Sequence, residues 1–132
     1  MSGILDYAKA IAELLAEFDA EVDLAPDYEM RNLKTARVVV LPAARGSKLA
    51  SRIDKQNDFH LSVAVIKKVA SLMEVEQLTV LSERIGNMLL GAKVLSGNCV
   101  TVEWEPIYSV DELREKRIFI SVVKVGIKDF SR

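Results

Sequence analysis

The chain of 132 residues has one histidine, one cysteine and one tryptophan. Cys99 has no second cysteine to pair with, so no internal disulfide can form, and a cytosolic origin is the default. A single His60 and a single Cys99 cannot give zinc three or four ligands without recruiting carboxylates, which disfavours a transition-metal site. Any serine or cysteine nucleophile would need His60 as its base, and no partner for that base is signposted. No apolar run approaches the ~20 residues of a membrane span. The apolar N-terminal stretch contains Asp6 and lacks a basic leader, so a secretory signal is not expected. The net charge of −1 lacks the positive excess of a dedicated nucleic-acid binder. No internal repeat, low-complexity tract or linker is visible, which leaves one domain over residues 1–132.

What the chain does have is a charge split. Residues 1–30 carry eight acidic side chains against Lys9, and residues 31–68 carry nine basic ones against Asp54 and Asp58. The two segments therefore stand at −7 and +7. An acidic face and a basic face suit contact between copies of one chain; two solvated faces of a monomer give the same pattern. Half of the residues are hydrophobic, slightly more than one small core needs, and a subunit interface would absorb the excess.

Helical spacing of Ile4, Ala8, Ile11, Leu15 and Phe18 predicts an amphipathic helix over 3–18. Asp19 to Lys34, with Pro26, reads as a connector. Arg37 to Leu41 is a β-branched strand closed by Pro42, and Asp58 to Val69 alternates as its hairpin partner. Between them, Ala43 to Asp58 reads as a long, basic, flexible loop. Ser71 and Glu74 have capping-box spacing and open a helix to about Gly91, a C-cap. Gly97-Asn98 reads as a turn before a strand, Cys99 to Tyr108, with Val100, Val102 and Trp104 on one side. Ser109 and Glu112 repeat the capping spacing. Arg117 to Lys128 is apolar on both faces, which places it centrally in the sheet. The expected fold is α+β. One antiparallel or mixed sheet of about four strands packs against helices 3–18 and 72–91, with a long β-hairpin loop.

Chemistry-bearing residues each have a plainer reading. His60 sits on the polar side of its strand, as a surface or interface histidine does. Cys99 fits a small buried hydrophobe. Gly46-Ser47-Lys48 resembles a phosphate-loop fragment, but Ser47 separates Gly46 from Lys48 and position 41 is leucine, so the motif fails. Glu103 and Glu105 share a strand face, as solvated carboxylates do. Trp104 reads as core, or as an anchor if the protein forms a ring. Arg45, Lys48, Arg52 and Lys55 fit a subunit contact, a solvated loop or a phosphate contact. No aromatic side chain lies between them to stack bases. The proposed counterparts of the basic residues on a neighbouring copy are Glu17, Glu21 and Asp23.

Arg37 to Pro42, the W-x-P-x-Y of Trp104 to Tyr108, Asp111-Glu112-Leu113 and the R-x-F-x-S-V-x-x-V of Arg117 to Val125 together resemble a known class. The chain is similar, over nearly its whole length, to the neck and tail-completion proteins of tailed bacteriophages, the tail terminators most closely. The resemblance implies a structural virion protein with no catalytic residues and no cofactor. It implies a ring, commonly a hexamer, that caps the tail tube, ends its polymerisation and meets the head connector. DNA would pass through the lumen without specific binding. No membrane is involved, and assembly takes place in the host cytoplasm. A head-side connector, adaptor or stopper is the neighbouring alternative. A nucleic-acid-binding module using residues 31–68 is the alternative of another class.

Overall fold

A computed structural model describes residues 3–24, 35–49, 51 and 55–131. The described elements, in order, are α1 (Ile4–Leu14), β1 (Glu21–Val22), β2 (Arg37–Leu49), β3 (Lys55–Lys68), α2 (Leu72–Leu89), β4 (Lys93–Val94), β5 (Gly97–Trp104), α3 (Val110–Lys116) and β6 (Ile118–Ser131). The architecture is α+β with one mixed sheet. Its order is β1-β2-β3-β6-β5-β4, six strands rather than about four. The two extra strands, β1 and β4, are two residues each, too short to leave a periodic signal. β1 pairs parallel with β2, and every other neighbour is antiparallel. β6 lies between β3 and β5, the central place that its two apolar faces imply.

α1 and α2 cover the same face of the sheet. α1 buries Tyr7, Ala8 and Ile11, and Leu15 follows them into the core. The helix starts at Gly3, whose N–H donates to Asp6 Oδ2 at 3.1 Å. It ends at Leu14, and a 3-10 turn, Ala16–Phe18, completes the span expected to be one helix. α2 buries Val75, Leu78, Ser82, Ile85, Gly86 and Leu89, the spacing of one helical stripe. Ser71 Oγ accepts from Glu74 N–H at 3.3 Å, half of a capping box. The Glu74 carboxylate turns instead to Lys67 Nζ at 2.8 Å, which lowers its pKa. Gly91 stands just past the helix at φ +83°, a conformation open to glycine at no steric cost. The strands add Val38, Val40, Phe59, Leu61, Val63, Val65, Phe119, Val123, Val125 and Ile127 to this core.

The opposite face of the sheet carries no described helix. One end of it is a small apolar cluster of Val39, Ala64, Ile66, Ile118 and Ile120. Its other end is polar, with Asp58, His60, Ser62, Glu103, Lys124 and Lys128.

The basic segment after Pro42 is not a loop. β2 and β3 stay paired from Arg37↔Ile66 out to Leu49↔Lys55, with one bulge between Pro42 and Ala44. β3 is paired on its other side as well, from Lys55↔Ser131 to Lys68↔Ile118. The ladder therefore extends as a three-stranded arm whose β2 residues 43–49 are all exposed. With every β2 side chain of the arm exposed, nothing selects an apolar/polar alternation in that strand, and its sequence looks like loop. Pro42 sits inside the strand, on its edge, where a missing N–H breaks no ladder bond.

A second bulge, between Cys99 and Thr101, changes the expected facing of β5. Cys99 takes the buried position, and Val100 is pushed out to solvent rather than lining up with Val102 and Trp104. The turn before β5 is at Leu95 and Ser96 and not at Gly97-Asn98. Leu95 has φ +53°.

Candidate assembly interface

The acidic residues proposed to meet a neighbour already have partners in their own subunit. β1 lies beside β2 in parallel register, Glu21↔Val39 and Val22↔Val40. That register sets the Arg37 guanidinium between two carboxylates. It donates to Glu21 Oε1 and to Asp23 Oδ2, the latter at 3.3 Å. The Glu21 contact, ahead of the Asp23 one, raises the Arg37 pKa against the opposing effect of burial. Glu17 Oε2 accepts from Arg84 at 3.2 Å, and Arg84 also stacks over Phe18. Both partners of that pair are about half exposed, so it contributes at most ~1 kcal/mol. Glu17 and Glu21 keep accessible surface for a further contact, and Asp23 keeps less.

The basic residues separate. Arg45 lies opposite Phe59 in the ladder, and its guanidinium stacks over the buried Phe59 ring at 5.0 Å from the centroid. Lys48 lies opposite Gln56, and Lys55 opposite Leu49, both on the exposed arm. Arg52 lies outside the described residues. Elsewhere in the 31–68 segment, Arg37 and Lys67 are tied into ion pairs, so its +7 is not one continuous patch. Leu49 (71% exposed) and Phe130 (61%) are large apolar side chains at the tip of the same arm. Neither was singled out from the sequence, because each stands alone in a polar stretch.

His60 reaches the polar end of the uncovered face. A hollow of about 320 Å³ lies there, lined by His60, Ser62, Thr101, Glu103 and Lys124. Gly126 also lines it, and there the Thr101 side chain takes the space of a Cβ, which would lie 2.2 Å from Thr101 Oγ1. His60 has no side-chain hydrogen bond among the described residues, so no base–nucleophile contact forms in the hollow. Among the described residues no group of three or more His, Cys, Asp or Glu side chains could hold a metal, and no helix is long and apolar enough to cross a membrane.

Cys99 is buried, and burial pushes its thiol pKa up to about 11. Thiolate is the reactive form, so Cys99 is inert in the native fold. A disulfide thiol reagent is therefore expected to titrate no cysteine in native protein and one in denaturant. Rapid labelling of the native protein would show that β5 opens.

Trp104 is half-buried and packs against the core. Its Nε1–H donates to Ser82 O at 3.2 Å, and its ring lies on Gly86 of α2. Glu105, next in the chain, accepts from Lys124 Nζ at 3.3 Å. It faces the uncovered side, as Glu103 does through its place opposite Lys124.

No family model matches the chain. No curated protein matches it in sequence. Solved structures share the fold. One is a chain from the virion of a native gene transfer agent particle, aligned over 97% of this chain and 92% of that one. The TM-score is 0.52 and the sequence identity 10%.

Proposed function

We propose that the protein is a structural subunit of a phage-type virion, a tail terminator that closes into a ring, commonly of six copies, on the end of the tail tube. The observation that carries this reading is fold likeness along almost the whole length of both chains, to a subunit of a virion. The sequence resemblance points the same way. In this reading the protein works by shape and charge and not by catalysis. The ring stops tube growth, offers its far side to the head connector, and leaves a lumen for DNA. A closed ring uses heterologous contacts, one patch of each subunit against a different patch of the next. The divided charge of the chain and the exposed arm suit such a contact.

The test is native mass spectrometry with negative-stain electron microscopy, on protein concentrated to hundreds of micromolar, far above the free level needed for a ~1 μM contact. The expected result is a ring of one stoichiometry with a central hole. The double variant Arg45→Glu, Lys48→Glu is expected to stay folded by circular dichroism and to shift at least tenfold toward monomer. A cryo-electron microscopy map of the particle that shows this protein outside any ring would refute the ring, and a protein monomeric in solution would move the test to that map.

A further inference from the structure

We propose that neighbouring subunits join edge to edge, the outer edge of β2 in one copy pairing antiparallel with the outer edge of β5 in the next. This rests on the ring reading above and specifies its contact.

A sheet edge with unpaired N–H and C=O groups is a template for another strand. β1 covers β2 only at Val39 and Val40. From Leu41 to Leu49 the outer edge of β2 has no backbone partner among the described residues. Asp23 N–H donates to Val40 O, so the peptide groups of Val40 face outward. Backbone groups along a strand alternate in direction. Carried past the bulge through the regular β3 ladder, that alternation turns Arg45, Ser47 and Leu49 outward.

The far end of the sheet is open in the same way. β4 covers β5 only at Gly97 and Asn98, and Ala92 and Gly91 bond Cys99. Glu105 N–H donates to Val122 O, so Val122 faces β5, and so do Lys124 and Gly126. Val102 and Trp104 lie opposite Val125 and Val123, and their backbone groups therefore turn outward. They have no backbone partner on that side among the described residues.

Direction and charge agree. Within the sheet β5 runs antiparallel to β2. A rotation about an axis along the strands preserves their direction, so β5 of one copy meets β2 of the next antiparallel. Setting Ser47 against Trp104 and Leu49 against Val102 pairs four of the five outward residues and leaves Arg45 beside Pro106, which has no N–H to donate. It also puts Lys48 directly across from Glu103. Both side chains stand on the uncovered face, Lys48 beside Gln56 and Glu103 beside Lys124. Edge 41–49 carries Arg45 and Lys48 and no acid; residues 100–105 carry Glu103 and Glu105 and no base. Like edges meeting would bring base to base or acid to acid, so the charge selects the heterologous contact that closes a ring.

The test uses Lys48→Cys and Glu103→Cys. Opposed residues in a non-hydrogen-bonded antiparallel pair have Cα atoms about 4.5 Å apart, within disulfide reach. Buried Cys99 stays in place. Under mild oxidation, a mixture of the two single variants is expected to give a cross-linked dimer that neither gives alone. A chain with both changes should give a ladder ending in a closed ring. Ser47→Pro removes an outward N–H and is expected to abolish assembly. Ser47→Ala loses only the hydroxyl bond to Asn57 and should assemble. Cross-linking of Lys48→Cys to itself would overturn the edge pairing. So would a wild-type ring, confirmed by mass, that tolerates Ser47→Pro and yields no mixed dimer; the ring reading would survive that result. A map of the particle that shows the protein outside any ring defeats the ring reading, and this one with it.

Discussion

Replacing Gly86 by alanine is expected to destabilise the protein by about 1–3 kcal/mol, the usual cost of overpacking a core. In an exposed helix interior the same change stabilises by about 1 kcal/mol, because glycine loses more backbone freedom on folding. The tryptophan reverses the sign. A Cβ on Gly86 would lie 2.2 Å from Trp104 Cζ2 and 2.9 Å from Cε2. These are atoms of a rigid ring, and the ring is held by its hydrogen bond to Ser82 O. α2 and β5 must move apart, or the indole must give up its bond. Denaturant unfolding followed by circular dichroism measures the loss. In a Trp104→Phe background the cost of Gly86→Ala should shrink, since the smaller ring leaves space; that coupling identifies the contact. A Gly86→Ala variant as stable as the parent would mean that the helix does not rest on this ring.

The second large effect concerns a buried acid. Asp129 is 4% exposed and sits near the end of β6. Its Oδ2 accepts from Tyr7 Oη at 2.6 Å and from Ser96 Oγ at 2.8 Å. Tyr7 is fully buried and packs its ring on Phe59, with centroids 4.4 Å apart. One carboxylate thus ties α1, the β4–β5 turn and β6 together. Asp129→Ala is expected to cost about 1–3 kcal/mol, because it strands the buried Tyr7 hydroxyl, the usual cost of one buried unsatisfied group, whereas the exposed Ser96 hydroxyl can turn to water. Tyr7→Phe removes one bond and keeps the ring, so its cost should be smaller. Burial first, and the bond to Asp129 second, push the Tyr7 pKa up to about 12 from 10.0. The folded state holds this proton longer than the unfolded state. The stability it contributes is therefore complete below pH 10 and is lost as pH rises from 10 to about 12. Ultraviolet titration of the phenolate should show one late step that Tyr7→Phe abolishes. A wild-type titration without that step would mean that Tyr7 is open to water.

The elements that bury an apolar stripe were legible in the sequence. Ile11 and Leu15 mark the first helix; Leu78, Ile85 and Leu89 mark the second, although Met88, at the same spacing, stays exposed. β6 declares its central place through apolar residues on both faces. What was hidden depends on register. The arm from Ala43 to Leu49 is held by backbone ladders and by β3 being paired on both sides, neither of which leaves a mark on composition. Glu21 and Asp23 find Arg37 only because β1 lies parallel to β2, a pairing that two residues cannot announce. The bulge at Cys99 reverses Val100, and alternation alone carries no sign of it. The candidate contact was half legible. Arg45 and Lys48 stood out as charges. Their place on an open edge did not, although Pro42 within a strand is the signal that would have marked it.

The central strand is also the last of the described strands in chain order. The ribosome adds residues at about 5–20 per second, so β6 follows the rest of the sheet by roughly one to three seconds. During that interval β3 and β5 have no shared neighbour, and the long seam of β3 facing β6, fourteen paired positions, stands open. The nascent protein can form its helices and the β2–β3 hairpin, but it cannot close its core. Messages cut short before the codon for Ile118 would yield a chain with two exposed strand edges and an unfilled slot between them. Such fragments would be targets for chaperones and proteases.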